Sequence, residues 1–158
     1  MQPITTLYAH NHWANLRLVD ICAALSAAEI ETTSPGAYGT IQETLQHIAQ
    51  SERSYFARIS TGQPYNGPDE PTLSLAQIRE ILQVTGQGLI EWAARIGADE
   101  TVTVNWLGTP REVPKSIIMA QVLDHAIEHR TQIQTILTQL GLESPDLQPW
   151  VFFDEQGI

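Results

Sequence analysis

Five histidines are the residues of this chain whose type and spacing could do chemistry. His125 and His129 stand four apart in a stretch of helical periodicity, a spacing that stacks two imidazoles on one helix face within reach of one metal ion. At about 100° per residue, with Ala126 at 0°, the apolar arc of that helix covers about −80° to about +60°. It is supplied by Ile118, Met119, Val122, Leu123, Ile133, Ile136, Leu137 and Leu140. His129 falls inside the arc near about −60° and His125 on its edge near about −100°. Rings so placed need partners, because burying one unsatisfied costs about 1–3 kcal/mol. On a separate helical stretch, His47 lies about 100° from Ile48, on the flank of the apolar stripe. The three rings could line one side of an interhelical groove, an open site with a position left for water or substrate. The plainer alternative is a structural histidine pair, with His47 bonded to a backbone or carboxylate group.

Other candidates are weaker. His10 and His12 point about 200° apart on a helix and cannot share a face, so they are read as helix residues without a metal role. His125-Ala126-Ile127-Glu128-His129 matches the H-x-x-E-H string of inverted zinc proteases. Glu128 points about 80° away from the mean direction of the two imidazoles. Only 29 residues follow His129, too few for a further acidic ligand and a substrate chamber, and the protease reading fails. Glu52 lies in the apolar stripe of its helix and is read as paired with a buried arginine or hydroxyl, a catalytic role being the alternative.

Four helical stretches must position these side chains. The first runs from about Ile4 to Ala28 and ends before Thr32-Thr33-Ser34-Pro35-Gly36. The second runs from about Thr40 to Ser60, with Ile41, Leu45, Ile48, Glu52, Tyr55 and Ile59 on one face. Thr40 and Glu43 form a capping box at its start. Residues 62–73, with three prolines and two glycines, cannot continue it. Ser74 is the N-cap of a third helix to about Ile96, with Gly97 just beyond it. Gly86 and Gly88 weaken this assignment, each by about 1 kcal/mol relative to Ala. Residues 101–114 alternate and turn at Gly108-Thr109-Pro110, which reads as a short hairpin. The fourth helix starts near Pro114–Lys115 and stops at Gly141. The aromatic tail from Leu147 packs back on the bundle or on a partner. The expected architecture is a single all-α domain over residues 1–158, a four-helix bundle with a small β-hairpin between its third and fourth helices.

Composition narrows the function. Eight basic against 18 acidic residues give a formal charge of −10, with no basic block, which argues against nucleic acid as a ligand. No apolar run reaches about 18 residues, so no membrane span is expected. The opening residues lack the pattern of a secretory signal, and the setting expected is cytoplasmic. Cys22 is alone, which excludes an intramolecular disulfide and any CxxC motif.

The segments LQHIAQSERSYFARI (45–59) and VPKSIIMAQVLDHAIEHRTQIQTILTQLG (113–141) resemble the DinB-like (YfiT-related) superfamily of metal-dependent four-helix-bundle proteins. The opening YAHNHWANLRLVD (8–20) is similar to the aromatic-Trp-Ala-Asn pattern of that family's first helix. The resemblance spans nearly the whole chain. It implies an up-down-down-up bundle, usually a homodimer, with zinc or nickel held by His47, His125 and His129. Relatives of this kind include thiol S-transferases that use a low-molecular-weight bacterial thiol, and a thiol-dependent isomerase. The implied function is activation of a small thiol for transfer to an electrophilic small molecule. The alternatives are metal-dependent hydrolysis and a non-enzymatic metal-binding dimer of the stress response.

Overall fold

Four long helices, two short ones and one β-hairpin make up the chain in a computed structural model that describes residues 2–68, 70–97 and 99–157. The order is α1 (Pro3–Cys22), α2 (Ala27–Ile30), α3 (Ile41–Thr61), α4 (Leu75–Ala93), β1 (Thr101–Trp106), β2 (Thr109–Pro114), α5 (Lys115–Gln139) and α6 (Pro149–Gln156). Among the described residues no helix is long and apolar enough to cross a membrane.

Local chemistry sets the boundaries. Thr40 and Ser74 each close a capping box, with Glu43 and Gln77, which places the first turns of α3 and α4 where the sequence predicts them. The first helix is shorter than expected, ending at Cys22 rather than near Ala28. Ser26 and Glu29 form a further capping box, so a new one-turn helix starts where continuation was expected. Helix α4, the third expected from the sequence, ends at Ala93, before Ile96. There the Gly97 N–H donates to the Glu100 carboxylate at 2.8 Å instead of closing a left-handed cap. The hairpin turn also falls earlier, at Leu107-Gly108. Both have positive φ (51° and 84°), as a two-residue turn between right-twisted strands requires, and Thr109 and Pro110 already belong to β2.

Gly86 and Gly88 carry a packing reason for their presence in α4. A Cβ on Gly86 would stand 2.1 Å from His12 Nδ1 and 2.9 Å from its Cγ; one on Gly88 would stand 2.4 Å from the Phe56 ring. The glycines let α1 and α3 approach α4 closely. Gly86→Ala should therefore lower stability by about 1–2 kcal/mol in urea unfolding, overpacking outweighing the ~1 kcal/mol gain in helix propensity. A stabilised variant would show that the His12 ring yields freely.

Helix α1 packs on α4, α4 on α3, α3 on α5, and α5 back on α1. Two apolar clusters fill the interior. Leu18, Ile48, Leu82 and Ile133 belong to one; Tyr8, Ile59, Leu89 and Val122 belong to the other. Between them lies a buried polar layer with members from all four long helices: Asn11 and Asn15, Glu52, Thr85, and Arg130. The Glu52 carboxylate, 3% exposed, accepts from Thr85 Oγ1 and from Asn15 Nδ2 at 2.9 Å. Arg130 Nη1 donates to Asn11 Oδ1 at 2.7 Å and Asn15 Oδ1 at 2.6 Å. The asparagines thus bridge an acid and a base that share no direct bond. Glu52 is partnered as its place in the apolar stripe predicts, by a hydroxyl directly and by an arginine through two amides.

Two connections are pinned by side chains. Gln42, Gln46 and Gln50, one helical turn apart on α3, bond the backbone of Leu73, Pro71 and Glu70 and hold that loop along the helix. The tail folds back on α1: Phe152 is buried against Trp13, with ring centroids 5.6 Å apart, and Glu155 pairs with Arg17 at 2.8 Å. Trp150 and Phe153 remain 76% and 52% exposed.

Candidate metal centre

The α3 capping box fixes the rotation of that helix, so His47 leaves its flank toward α5. There His125 and His129 project from consecutive turns on the side that packs against α3. The ring centroids are 4.4 Å apart for His125 and His129, and 4.7 Å from His47 to each. One ligand atom from each ring lies within 4.8 Å of the others. His125 Nε2 and His47 Nε2 are 2.9 Å apart. In a tetrahedral site with bonds of about 2.0–2.1 Å, neighbouring nitrogens stand about 3.3 Å apart. Small ring rotations bring all three to that spacing, so these residues fit a divalent ion and could hold one.

Two of the rings, His125 and His47, have the right protonation for that role. Burial, reinforced by the charges His129 and His47 would carry, pushes His125 down to about 4 against a weaker opposing pull from Asp124. Burial and then His129 lower His47 as well. Both are neutral at pH 7, and a neutral imidazole offers the lone pair a metal requires.

A second ring of contacts aims the ligands. His129 Nδ1–H donates to Gln132 Oε1 at 2.9 Å, leaving Nε2 as the lone-pair atom. The same oxygen accepts the Tyr38 backbone N–H at 3.1 Å. The Tyr38 ring then stacks on His47, with centroids 3.9 Å apart and planes 12° from parallel. Tyr55 meets His125 edge-on. On the outer side of His47 opens a cleft of about 730 Å³, walled by Tyr38, Gln46, Glu43, Glu31 and Thr72. Gln132→Leu should weaken zinc binding about 10–100-fold in a chelator competition, the usual effect of removing such a support. Unchanged affinity would mean that packing alone orients His129.

The remaining sequence candidates lie elsewhere. His10 Nε2 bonds the Leu147 carbonyl at 2.7 Å, and His12 packs on α4 near Gln83. Glu128 is exposed, and among the described residues no carboxylate joins the histidine cluster. Cys22 is buried, its thiol pushed up to about 12 by that burial, so it offers no thiolate. Tyr38 and Gln132 were not singled out as site residues by sequence reasoning. Gln132 could have been, since it follows His129 by three residues on the same helix face. Tyr38 sits in a loop with no periodicity to mark it.

A mostly helical fold with a small hairpin and three converging imidazoles from two helices defines a class of protein that could hold a metal between helices. The particular family follows from the sequence. The DinB family model matches residues 1–155, and the chain belongs to the DinB family. A crystal structure of a DinB-like protein from Bacillus cereus is similar in fold. Its TM-score is 0.63 at 19% identity, over 88% of this chain and 91% of that one. No curated protein matches the chain.

Proposed function

We propose that this protein is a metal-dependent thiol S-transferase, with His47, His125 and His129 as ligands of one zinc or nickel ion. The observation that carries the reading is the convergence of three imidazoles, with no described carboxylate or thiol among them, beside an open cleft. Three histidines and one free position is the plan of catalytic rather than structural zinc sites. The ion would supply Lewis acidity, making a bound thiol a thiolate near neutral pH. The protein's own share is positional. Gln132 holds the proton on His129 Nδ1, and Tyr38 covers one face of His47. The cleft reaches the cluster at His47, and through it the thiol and the electrophile would enter. A C–S bond forms as the leaving group departs, and the thiol proton passes to solvent.

The architecture proposed is the up-down-down-up four-helix bundle. From Tyr8 to Leu18 α1 passes from the second apolar cluster to the first, as α5 does from Val122 to Ile133; α3 and α4 run the other way. A homodimer in the cytoplasm, with a role in stress response, completes the proposal. The exposed Trp150 and Phe153 support self-association, and light scattering should give twice the 17.5 kDa chain mass. A mass of one chain at micromolar concentration contradicts it.

The test gives metal-loaded protein a panel of thiols (bacillithiol, mycothiol, glutathione, cysteine) with monochlorobimane. Conjugation should exceed the metal-free background and vanish in His47→Ala, His125→Ala and His129→Ala. Thiol addition to the cobalt-substituted protein should produce intense charge-transfer bands. No turnover with any thiol, alongside metal-dependent ester or amide hydrolysis, would replace the transferase reading with a hydrolase.

A further inference from the structure

Away from the histidines, a second cavity of about 560 Å³ lies between α1, α5 and the segment leading into α6. Its walls are mostly apolar, from Leu7, Ile127 and Leu147, with Thr131 beside them and Arg130 at its base. The connecting segment is pinned at two carbonyls. His10 Nε2–H donates to Leu147 and Gln134 Nε2 donates to Pro145, each at 2.7 Å, so the wall is in place before any ligand arrives.

Arg130 is the unusual member. Its side chain is among the buried groups, 5% exposed, yet among the described residues both of its hydrogen bonds leave from Nη1 toward Asn11 and Asn15. The Nε–Nη2 edge is left for the cavity that the residue lines. Among the described residues no carboxylate meets the guanidinium directly, because the asparagine amides stand between it and Glu52. A desolvated cation with an unused planar fork is matched by a planar anion, which it can grip by two parallel bonds.

We infer that this cavity is a binding site for a small monocarboxylate with an apolar tail, seated on the Nε–Nη2 edge of Arg130. Among the described residues one guanidinium and no lysine line the cavity, which suits a single negative charge rather than a phosphate dianion. Asp146 at the exposed rim, its Oδ1 already accepting the Gln148 N–H at 3.0 Å, opposes further negative charge. The apolar lining accepts the tail, and the half-exposed Leu7 and Ile127 form its mouth. The site is independent of the metal reading, sharing no lining residue with the histidine cluster.

The experiment titrates octanoate into the full-length, isotope-labelled protein and follows amide shifts by NMR, both as purified and after chelation. Saturable shifts should appear at Leu7, Ile127, Thr131 and Leu147 in both preparations. Octanol and inorganic phosphate should each bind at least about 10-fold more weakly, the fork being unused by one and overcharged by the other. Arg130→Lys should weaken octanoate similarly. Because Arg130 also braces the core, Ile127→Asp serves as the second variant: it keeps the fold and the metal stoichiometry while abolishing the shifts by repulsion. Equal binding of octanol, loss of binding on chelation, shifts centred on Tyr38 and His47, or no saturation with octanoate would each overturn the assignment.

Discussion

His125→Ala should bind zinc more than about 100-fold more weakly than the native chain, and His125→Ala/His129→Ala should not retain stoichiometric metal through purification. The size follows from ligand count. A complete set of ligands is worth about 10–16 kcal/mol for structural zinc, so one of three or four supplies about 3 kcal/mol. His47→Ala should fall in the same range, since its Nε2 lies 2.9 Å from His125 Nε2 at the centre of the cluster. His10→Ala and His12→Ala act as controls, for neither ring belongs to that cluster. Competition against a chromophoric chelator measures all five variants. Equal loss in the controls would mean that the triad is not the site.

Arg130→Leu should be the most damaging single substitution in the core, lowering unfolding free energy by about 3–5 kcal/mol. It removes the donor to two buried asparagine oxygens and the positive charge that opposes the desolvation of Glu52, in a layer between two apolar clusters. The acid itself provides a pH signature. Burial pushes Glu52 up to about 7, opposed by the Thr85 bond, the Arg130 charge and the asparagine amides. With the folded value above that of the unfolded chain, the folded state holds the proton more tightly. The stability Glu52 contributes is then fully present below about pH 4.5 and lost as pH rises through about 7. Glu52→Gln removes that slope. Urea unfolding from pH 5 to 8 should therefore show the native chain losing ground to Glu52→Gln as pH rises. A gap that does not change with pH would show that Glu52 ionises without penalty.

The long helices were legible because their signals are local. Periodic apolar residues, the Thr40 and Ser74 caps and the Pro–Gly stretches each act within a few residues, and the wheel positions of His47, His125 and His129 followed from them. The failures have equally local causes. Ser26-x-x-Glu29 competes with continuation of α1, and Leu107 takes a left-handed conformation that its side chain does not advertise. Gly86 and Gly88 looked like weak points in a helix because their reason lies across the interface, in His12 and Phe56. The asparagine bridge and the Tyr38–His47 stack were hidden for the same reason: each joins residues far apart in the chain, and only the packed helices bring them together.

X-ray absorption on untagged protein purified without chelator, combined with elemental analysis, tests the central claim most directly. The account predicts about one divalent ion per chain, with three imidazole nitrogens at about 2.0–2.1 Å, lost in His125→Ala/His129→Ala. Protein that carries no stoichiometric ion and takes none up on titration, or an ion whose shell lacks three imidazoles, contradicts it.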